Sequence, residues 1–213
     1  GLEGDLSERF SAGAAVRYED YSDFGSETSG KLSARFAFTD TVALRATVAS
    51  GFRAPSLAQQ HYRAVATSFA SGVAYGSGTF PVGSPAAWAL GAEPLRAETS
   101  LSYSAGLVLQ PSEQIYLTID AYRIDIDDRI VLSGNLAANA AMTDLLASLG
   151  ITNVTSARYF TNAIDTRTRG VDVISTYRWD LGGSTLDLTA GYNHTETEVT
   201  RVADNPPELE ATG

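Results

Sequence analysis

The length over which this chain alternates is the strongest constraint on what it can fold into. Between Arg9 and Tyr18, Phe10, Ala12, Ala14, Val16 and Tyr18 share one parity, and Arg9, Ser11, Gly13, Ala15 and Arg17 share the other. Successive side chains of a β-strand point to opposite faces, so a period of two marks a strand with one apolar face. The pattern returns at Gly30–Phe38, at Thr41–Val48, at Thr99–Leu109 and at Thr185–Tyr192. Strands of soluble domains average about 5–6 residues, whereas a tilted strand needs about 9–11 to cross a bilayer. The alternating segments here lie at or near the second figure.

Parity also predicts register, because residues opposite each other in an antiparallel pair share a face. Thr39-Asp40-Thr41 is a tight turn, which sets Phe38 opposite Val42, Phe36 opposite Leu44 and Arg35 opposite Arg45. Pro111-Ser112-Glu113 turns the chain into Ile115, Leu117, Ile119 and Ala121, again on one face. Near Tyr122 the phase slips, since Ile124, Ile126 and Ile130 have even parity. A bulge, or emergence from lipid into water, accounts for that. Arg158–Trp179 reads as one long strand, Leu181-Gly182-Gly183-Ser184 as a turn that sets Arg178 opposite Asp187, and the pattern dissolves after His194.

The connections between these seven candidate strands alternate in length. Glu19–Ser29 is acidic and rich in Gly and Ser and reads as a loop, Ala54–Arg96 is long and without strand pattern, and Ser133–Ala157 is a second long connection. Within the last, Met142, Leu145, Leu146 and Leu149 have helical spacing, with Gly150 as a C-cap. Short turns at one end and long loops at the other are the habit of outer-membrane barrels, with periplasmic turns and extracellular loops. Aromatic residues at the ends of the apolar faces (Phe36, Phe38, Tyr177 and Trp179 near short turns, Tyr18 and Phe52 near longer connections) fit two interfacial girdles. The fold class is all-β: an antiparallel transmembrane β-barrel segment, with a soluble sandwich or solenoid as the alternative. Seven strands leave unpaired edges that hydrocarbon does not tolerate. The chain is therefore expected to be a piece of a larger barrel that does not stand alone.

Composition narrows the function. The formal net charge is −10 with 15 Lys+Arg, which argues against nucleic acid, whose phosphates require a basic surface. There is no Cys, so disulfides and thiolate metal sites are excluded. No apolar run approaches the roughly 18 residues of a transmembrane helix, and strand-spanning proteins do not need one. Gly1–Asp5 has neither a basic nor an apolar region of a signal peptide, and Pro206–Gly213 reads as a loop, so both ends look like cuts through a longer protein.

Ser50-Gly51-Phe52-Arg53-Ala54-Pro55-Ser56-Leu57 ends one of the strands, since Pro55 lacks an N–H and drives Ala54 from helical geometry. With the strand TVALRATVA that leads into it, this phrase resembles the barrel domain of TonB-dependent outer-membrane receptors. So do Leu95–Ser100 with the strands LSYSAGLVLQ and IYLTIDAYRIDIDDRI, and Tyr159–Ala163 continued by Thr168–Val173. The resemblance covers roughly Thr41 to Tyr192. It implies one partial barrel domain over residues 1–213, part of a barrel of about twenty-two strands whose lumen holds an N-terminal plug. The plug, the TonB box and the closing strands are absent from this sequence. The function implied is TonB-energised uptake, across the outer membrane of a Gram-negative bacterium, of a scarce bulky nutrient such as a ferric siderophore. Partners implied are outer-membrane lipid, the receptor's own plug, the TonB complex and the small-molecule nutrient. A passive, porin-like barrel without a plug is the alternative, distinguished by what precedes Gly1.

Candidate site residues follow from the same pattern. Arg35 and Arg45 are like charges expected side by side on the polar, lumen face, where a plug carboxylate or bound anion would bridge them; water screening is the alternative. Arg53 continues the line of Arg45, and Asp172 takes the place of an acidic lumen residue that the resemblance implies after Gly170. In Ala54–Arg96, His61, Tyr62, Tyr75 and Trp88 are candidates for ligand contact, because loops on rigid scaffolds carry binding residues and aromatics supply contact area. The alternative is that these rings pack the loop on itself. Asp125, Asp127 and Asp128 lack the Gly and terminal Glu of an EF-hand loop and read as a solvated strand, so no metal or cofactor is expected. No G-x-S-x-G, H-E-x-x-H or phosphate-binding glycine loop accompanies His61 and His194, so no catalytic residue is expected.

Overall fold

The computed structural model describes residues 1–22, 24–70, 73–137, 140–148, 150–151, 154 and 156–204. In chain order the elements are β1 (Leu2–Ser7), β2 (Phe10–Tyr21), β3 (Gly25–Thr39), β4 (Val42–Arg53), α1 (Leu57–His61), β5 (Ala64–Ala70), β6 (Val73–Thr79) and α2 (Pro85–Trp88). Then follow β7 (Glu98–Ser112), β8 (Ile115–Leu132), β9 (Leu136–Ala137), α3 (Ala140–Ser148), β10 (Ser156–Arg158), β11 (Phe160–Asp180) and β12 (Thr185–Val202). The chain divides into two compact units: Gly1–Phe52, Thr99–Ile126 and Thr166–Val199 form the first, and Arg53–Glu98, Asp127–Asp165 and Thr200–Gly213 the second.

The first unit is a wall of long strands in the order β1-β2-β3-β4-β7-β8-β11-β12. Arg35 pairs Arg45 and Phe36 pairs Leu44, as parity predicts. Phe38 does not pair Val42: a bulge between Ala37 and Thr39 puts Thr39 opposite Val42. The tight turn is held locally, with Thr41 N–H donating to Thr39 Oγ1 at 3.3 Å. The start of the chain adds one strand and corrects one further expectation. Leu2–Ser7 is a strand, paired Leu2↔Ala14 through Ser7↔Phe10. The expected loop Glu19–Ser29 is mostly ladder, because β2 and β3 stay paired as far as Tyr21↔Gly25, with Gly25 at φ 93° in the left-handed region that glycine reaches without strain. At the far end Arg178 meets Asp187 at 2.8 and 3.0 Å across the Leu181–Ser184 turn, as expected.

The apolar parity of this wall is exposed: Val16 is 75 % accessible, Leu32 59 % and Leu188 51 %. An apolar surface this continuous faces lipid or a partner, not water. Aromatic pairs stand at its margins, Phe36 against Phe38 at 5.0 Å and Tyr177 against Trp179 at 6.3 Å between ring centroids. Tyr21 stacks on Phe24 at 4.4 Å and meets the edge of Phe52 at 6.0 Å. Among the described residues no helix is long and apolar enough to cross a membrane.

Of the two origins expected for the phase slip at Tyr122, emergence from lipid is the one the strand faces support. β8 is a single strand through that point. Its outward parity reads Ile115, Leu117, Ile119 and Ala121, then Arg123 and Asp125. β11 changes likewise from Val173 and Val171 to Arg169 and Arg167, and β12 from Ala190 and Tyr192 to His194, Glu196 and Glu198. Arg123 and Arg167 each reach Asp125 at 2.7 Å, and Arg167 reaches Glu198 at 3.5 Å. A row of charges on the formerly apolar face marks where these strands leave hydrocarbon. The strand β12 accordingly continues to Val202, although its alternation fades after His194.

The second unit corrects the expectation that the long connections lack strand structure. β5 and β6 form a hairpin, Ala64↔Thr79 through Ala70↔Val73. The small sheet has the order β5-β6-β10-β9, with β10 parallel to β6 and antiparallel to β9. Its core draws Phe80, Val82, Ala86, Ala87, Leu90, Ala92 and Leu95 from the first connection and Leu146, Val154, Ala157 and Tyr159 from the second, with Ile130. Ser56 and Ser84 cap the two short helices, accepting from Gln59 N–H and Ala87 N–H at 3.2 Å each. The expected helix is α3, and Gly150, at φ 77°, ends it, with Ile151 N–H donating to Leu146 O at 2.8 Å. Leu149 and the side chains of Met142 and Leu145 lie outside the described residues, as does Pro206–Gly213. The expected single strand from Arg158 is interrupted at Tyr159, which is 2 % accessible and donates its hydroxyl to Leu90 O at 3.0 Å. Between β10 and β11 the Tyr159 backbone turns to Ser133, accepting its N–H at 2.8 Å and donating to its Oγ at 3.2 Å.

Candidate functional site

Functional candidates gather in two places. The first is the polar face of the wall, which in a closed barrel is the lumen face. Arg45, on β4, donates Nε to Asp120 Oδ1 at 2.9 Å and Nη2 to Oδ2 at 2.6 Å. Asp120 lies on β8, so the pair spans the intervening strand β7. It can do so because Gly106 stands between them: a Cβ there would collide with the Asp120 carboxylate. Tyr122 repeats the device. Its ring lies where a Cβ of Gly170 on β11 would be, and its hydroxyl meets Thr195 Oγ1 on β12 at 2.7 Å. Glycine on this face thus acts as a saddle over which a long polar side chain reaches the next strand but one.

The four residues expected on this face fare differently. Arg35 is exposed beside Arg45, as parity requires, and has no hydrogen bond or ion pair among the described residues. Arg45 is already neutralised by Asp120. Asp172 accepts a hydrogen bond from Asn193 Nδ2. Arg53 belongs to the second unit, and its partner is there too.

That second place is the root of the two long connections. Arg53 grips Glu98 bidentately, with Nε to Oε2 at 2.9 Å and Nη2 to Oε1. Glu98 is 5 % accessible and its Oε1 also accepts the N–H of Ile130 at 2.7 Å. A buried carboxylate is tolerated because these donors replace its water. Alongside, Arg96 and Asn162 exchange hydrogen bonds: Arg96 N–H to Asn162 Oδ1 at 2.9 Å, and Asn162 Nδ2 to Arg96 O at 3.0 Å. Asn162 Nδ2 also donates to Asp128 O at 2.6 Å. Asp128 Oδ1 receives Arg96 and Arg201 at 3.3 and 3.2 Å, and its own N–H donates to Asp165 Oδ1 at 2.9 Å. Arg201 completes the ring on Asp165 at 2.5 and 3.0 Å. Asp128 has φ 54°, the one positive value among the described non-glycine residues.

Two aspartates of the Asp125–Asp128 run are thus held by arginines, Asp125 by Arg123 and Arg167, Asp128 by Arg96 and Arg201. Arg201 holds the Asp165 carboxyl below its ordinary range, aided by the Asp128 N–H and opposed by burial. The loop candidates lie apart from this network. His61 ends α1, Tyr62 is its C-cap, and Trp88 ends α2. Tyr62 and Trp88 are 51 % and 58 % accessible and His61 is exposed. No hydrogen bond or ring contact joins the three among the described residues. Tyr75 lies in β6, and its side chain is outside the described residues. Parity reasoning missed Asp120, Glu98, Asn162, Asp165 and Arg201, and read Asp128 only as part of a solvated strand. A signal for part of the set was present, since Glu98 and Asn162 fall within the phrases Leu95–Ser100 and Tyr159–Ala163 that carry the family resemblance.

A family model described as the TonB-dependent receptor-like β-barrel matches residues 2–211. A search of curated protein sequences finds no match. Among solved structures, a mutant of the ferric enterobactin receptor PfeA from Pseudomonas aeruginosa is 17 % identical, with TM-score 0.59 over 89 % of this chain and 25 % of that one. The siderophore receptor PirA from Acinetobacter baumannii is 16 % identical, with TM-score 0.61 over 93 % and 26 %. The RagAB peptide importer is 14 % identical, with TM-score 0.62 over 95 % and 22 %. At these identities the likeness establishes the fold alone. The chain spans between 22 % and 39 % of the length of the structures it matches.

Proposed function

We propose that this chain, which belongs to the TonB-dependent receptor β-barrel family and lies in the outer membrane of a Gram-negative bacterium, is part of a receptor that takes up a scarce, bulky nutrient, a ferric siderophore being the leading class. The observation that carries the reading is the family match along nearly the whole chain. Two features of the molecule support it. The long connections fold into a packed body with its own core, so that Tyr62 and Trp88 are presented on ordered backbone and not on a slack loop. Rigid presentation lowers the ordering cost of binding.

On the polar face, Arg35 is the cation left over after Arg45 has been satisfied by Asp120. In a plugged barrel it is the residue to which a plug carboxylate docks, while Asp120 and Asp172 keep that part of the wall near electrical balance. Energy for release of the nutrient would come through TonB acting on the plug.

The test is uptake by the full-length protein, expressed in a receptor-deficient outer membrane, of a panel of radiolabelled ferric siderophores, with and without a functional TonB complex. Accumulation of one class that requires TonB supports the proposal. Entry of small solutes that is indifferent to TonB, together with steady ion conductance in planar bilayers, would make it a passive barrel.

A further inference from the structure

We infer that the two long connections open and close as one cooperative body, fastened at its root by the carboxylates of Glu98 and Asp128. The inference deepens the receptor reading by naming the unit of motion in the candidate capture loops. It rests on that reading only for its purpose.

The packing shows why neither connection holds alone. The core is shared, with Phe80, Leu90 and Leu95 from the first connection against Leu146, Ala157 and Tyr159 from the second. The sheet is interleaved: β10, from the second connection, pairs with β6 of the first from Ser156↔Ser77 to Arg158↔Thr79. Phe80 N–H donates to Arg158 O at 3.0 Å, and Arg158 Nε to Thr79 Oγ1 at 3.0 Å. Withdrawing either connection would strip the other of half its core and leave a strand edge unpaired. Segments that share a core and a ladder open as one unit.

The root ties the ends in the same crossed fashion. Glu98, at the end of the first connection, accepts from Arg53 at its start and from Ile130 near the start of the second. Asn162, beyond the end of the second, holds the backbone of Arg96 in both directions. Asp128 takes Arg96 and Arg201 on one oxygen while its backbone is fixed by Asp165 and Asn162. An aspartate at φ 54° is a strained conformer that persists only where its surroundings over-determine it. Here the surroundings are the latch itself. A ligand that orders the first connection must therefore order the second, so residues on both contribute to one binding event.

The experiment is hydrogen–deuterium exchange on the full-length protein in detergent micelles, with no ligand. It compares wild type with Asp128→Asn, Glu98→Gln and Asp128→Gly. Asp128→Asn and Glu98→Gln are expected to speed exchange of the β6 amides (Val73–Thr79) and the β10 amides (Ser156–Arg158) by the same factor, about tenfold, as loss of one charge-assisted hydrogen bond implies. The β7 amides Tyr103–Leu107 are expected to keep their rate. Asp128→Gly relieves the φ strain, so a purely local turn would slow exchange, whereas loss of the latch speeds it. Should Asp128→Asn not accumulate, Arg201→Gln removes the guanidinium bonds to Asp128 and Asp165 without altering β8 and is read the same way. Loosening of one connection without the other, loosening of neither, or equal loosening of the wall overturns the inference. None of these readings depends on uptake, so failure of the siderophore reading would leave them unchanged.

Discussion

Arg45 and Asp120 form a two-pronged ion pair across an intervening strand, and Gly106 is what lets them meet. The arrangement answers the question raised by two arginines side by side. The wall supplies its own counter-charge to one of them, and Arg35 has no ion pair among the described residues. Both members are partly solvated, so the pair itself contributes no more than a surface ion pair, about 0–1 kcal/mol. Its significance lies in direction: it fixes the Arg45 guanidinium away from Arg35.

The saddle predicts a specific rescue. Gly106→Ala should destabilise the barrel by about 1–3 kcal/mol, the usual cost of forcing a methyl into occupied space. Asp120→Ala alone should cost less. The double substitution should be more stable than Gly106→Ala alone, because removing the carboxylate empties the space that the new methyl needs. Thermal unfolding of the full-length protein in detergent, followed by circular dichroism, measures all three. Additive losses would show that Gly106 is not a saddle for Asp120.

The Tyr122–Gly170 contact gives an ordering test. Tyr122→Phe keeps the ring over Gly170 and loses the 2.7 Å bond to Thr195, at a cost of about 0.5–1.5 kcal/mol. Gly170→Ala sets a methyl against the ring and 2.9 Å from the backbone oxygen of His194. The ring can swing aside but the oxygen belongs to β12 and cannot. Gly170→Ala is expected to lower the unfolding temperature more than Tyr122→Phe, and the reverse order would refute the steric account.

How much of this could be read in advance follows the same physics. Arg35 opposite Arg45, Phe36 opposite Leu44 and Arg178 beside Asp187 follow from parity, because one face of each strand is committed to lipid and a one-residue slip would expose it. Phe38 escaped because a bulge breaks the count by one residue. β12 beyond His194 escaped for another reason: once outside hydrocarbon its outward face turns from Tyr192 to Glu196 and Glu198, so contrast between the faces fades while the strand goes on. The loop module was hidden more deeply. Its hairpin is rich in Ala, Ser and Gly with no alternation, and its core is assembled from Phe80, Leu90, Leu146 and Tyr159, distant in sequence. Glu98 and Asp128 stood in plain view as residues, but their roles depend on contacts that no local pattern encodes.

The ring of charges at the root predicts an acid limit for the module. Asp165 is held below its ordinary carboxyl range, chiefly by hydrogen bonds from Arg201. A carboxylate with a depressed native pKa stabilises the folded state above its unfolded value, about 3.9, and that contribution is lost as pH falls towards the native value. Exchange of the β6 and β10 amides, compared at pH 6 and pH 3 after correction for intrinsic rates, should therefore accelerate in acid. Arg201→Gln should flatten part of that acceleration while raising exchange at pH 6. An acid response identical in the variant would remove Asp165 and Arg201 from the account.

Tyr62 and Trp88 are the best placed of the expected contact residues, because each is more than half exposed at the end of a capped helix. Neither belongs to the shared core, so replacing both with Ala should leave unfolding within about 0.5 kcal/mol of wild type, as for other surface positions. If they meet the nutrient, their loss removes two aromatic contact areas from the interface. Aromatic anchors of that kind commonly carry 2 kcal/mol or more, about thirtyfold in affinity. The measurement is the concentration of ferric siderophore at half-maximal uptake by cells carrying the full-length protein, set beside its surface abundance. A rise of that size at constant abundance supports contact. An unchanged value at constant abundance shows that these rings decorate the module and that the nutrient is held elsewhere on it. A fall in abundance together with unfolding temperature would mean that the rings are structural, contrary to their exposure.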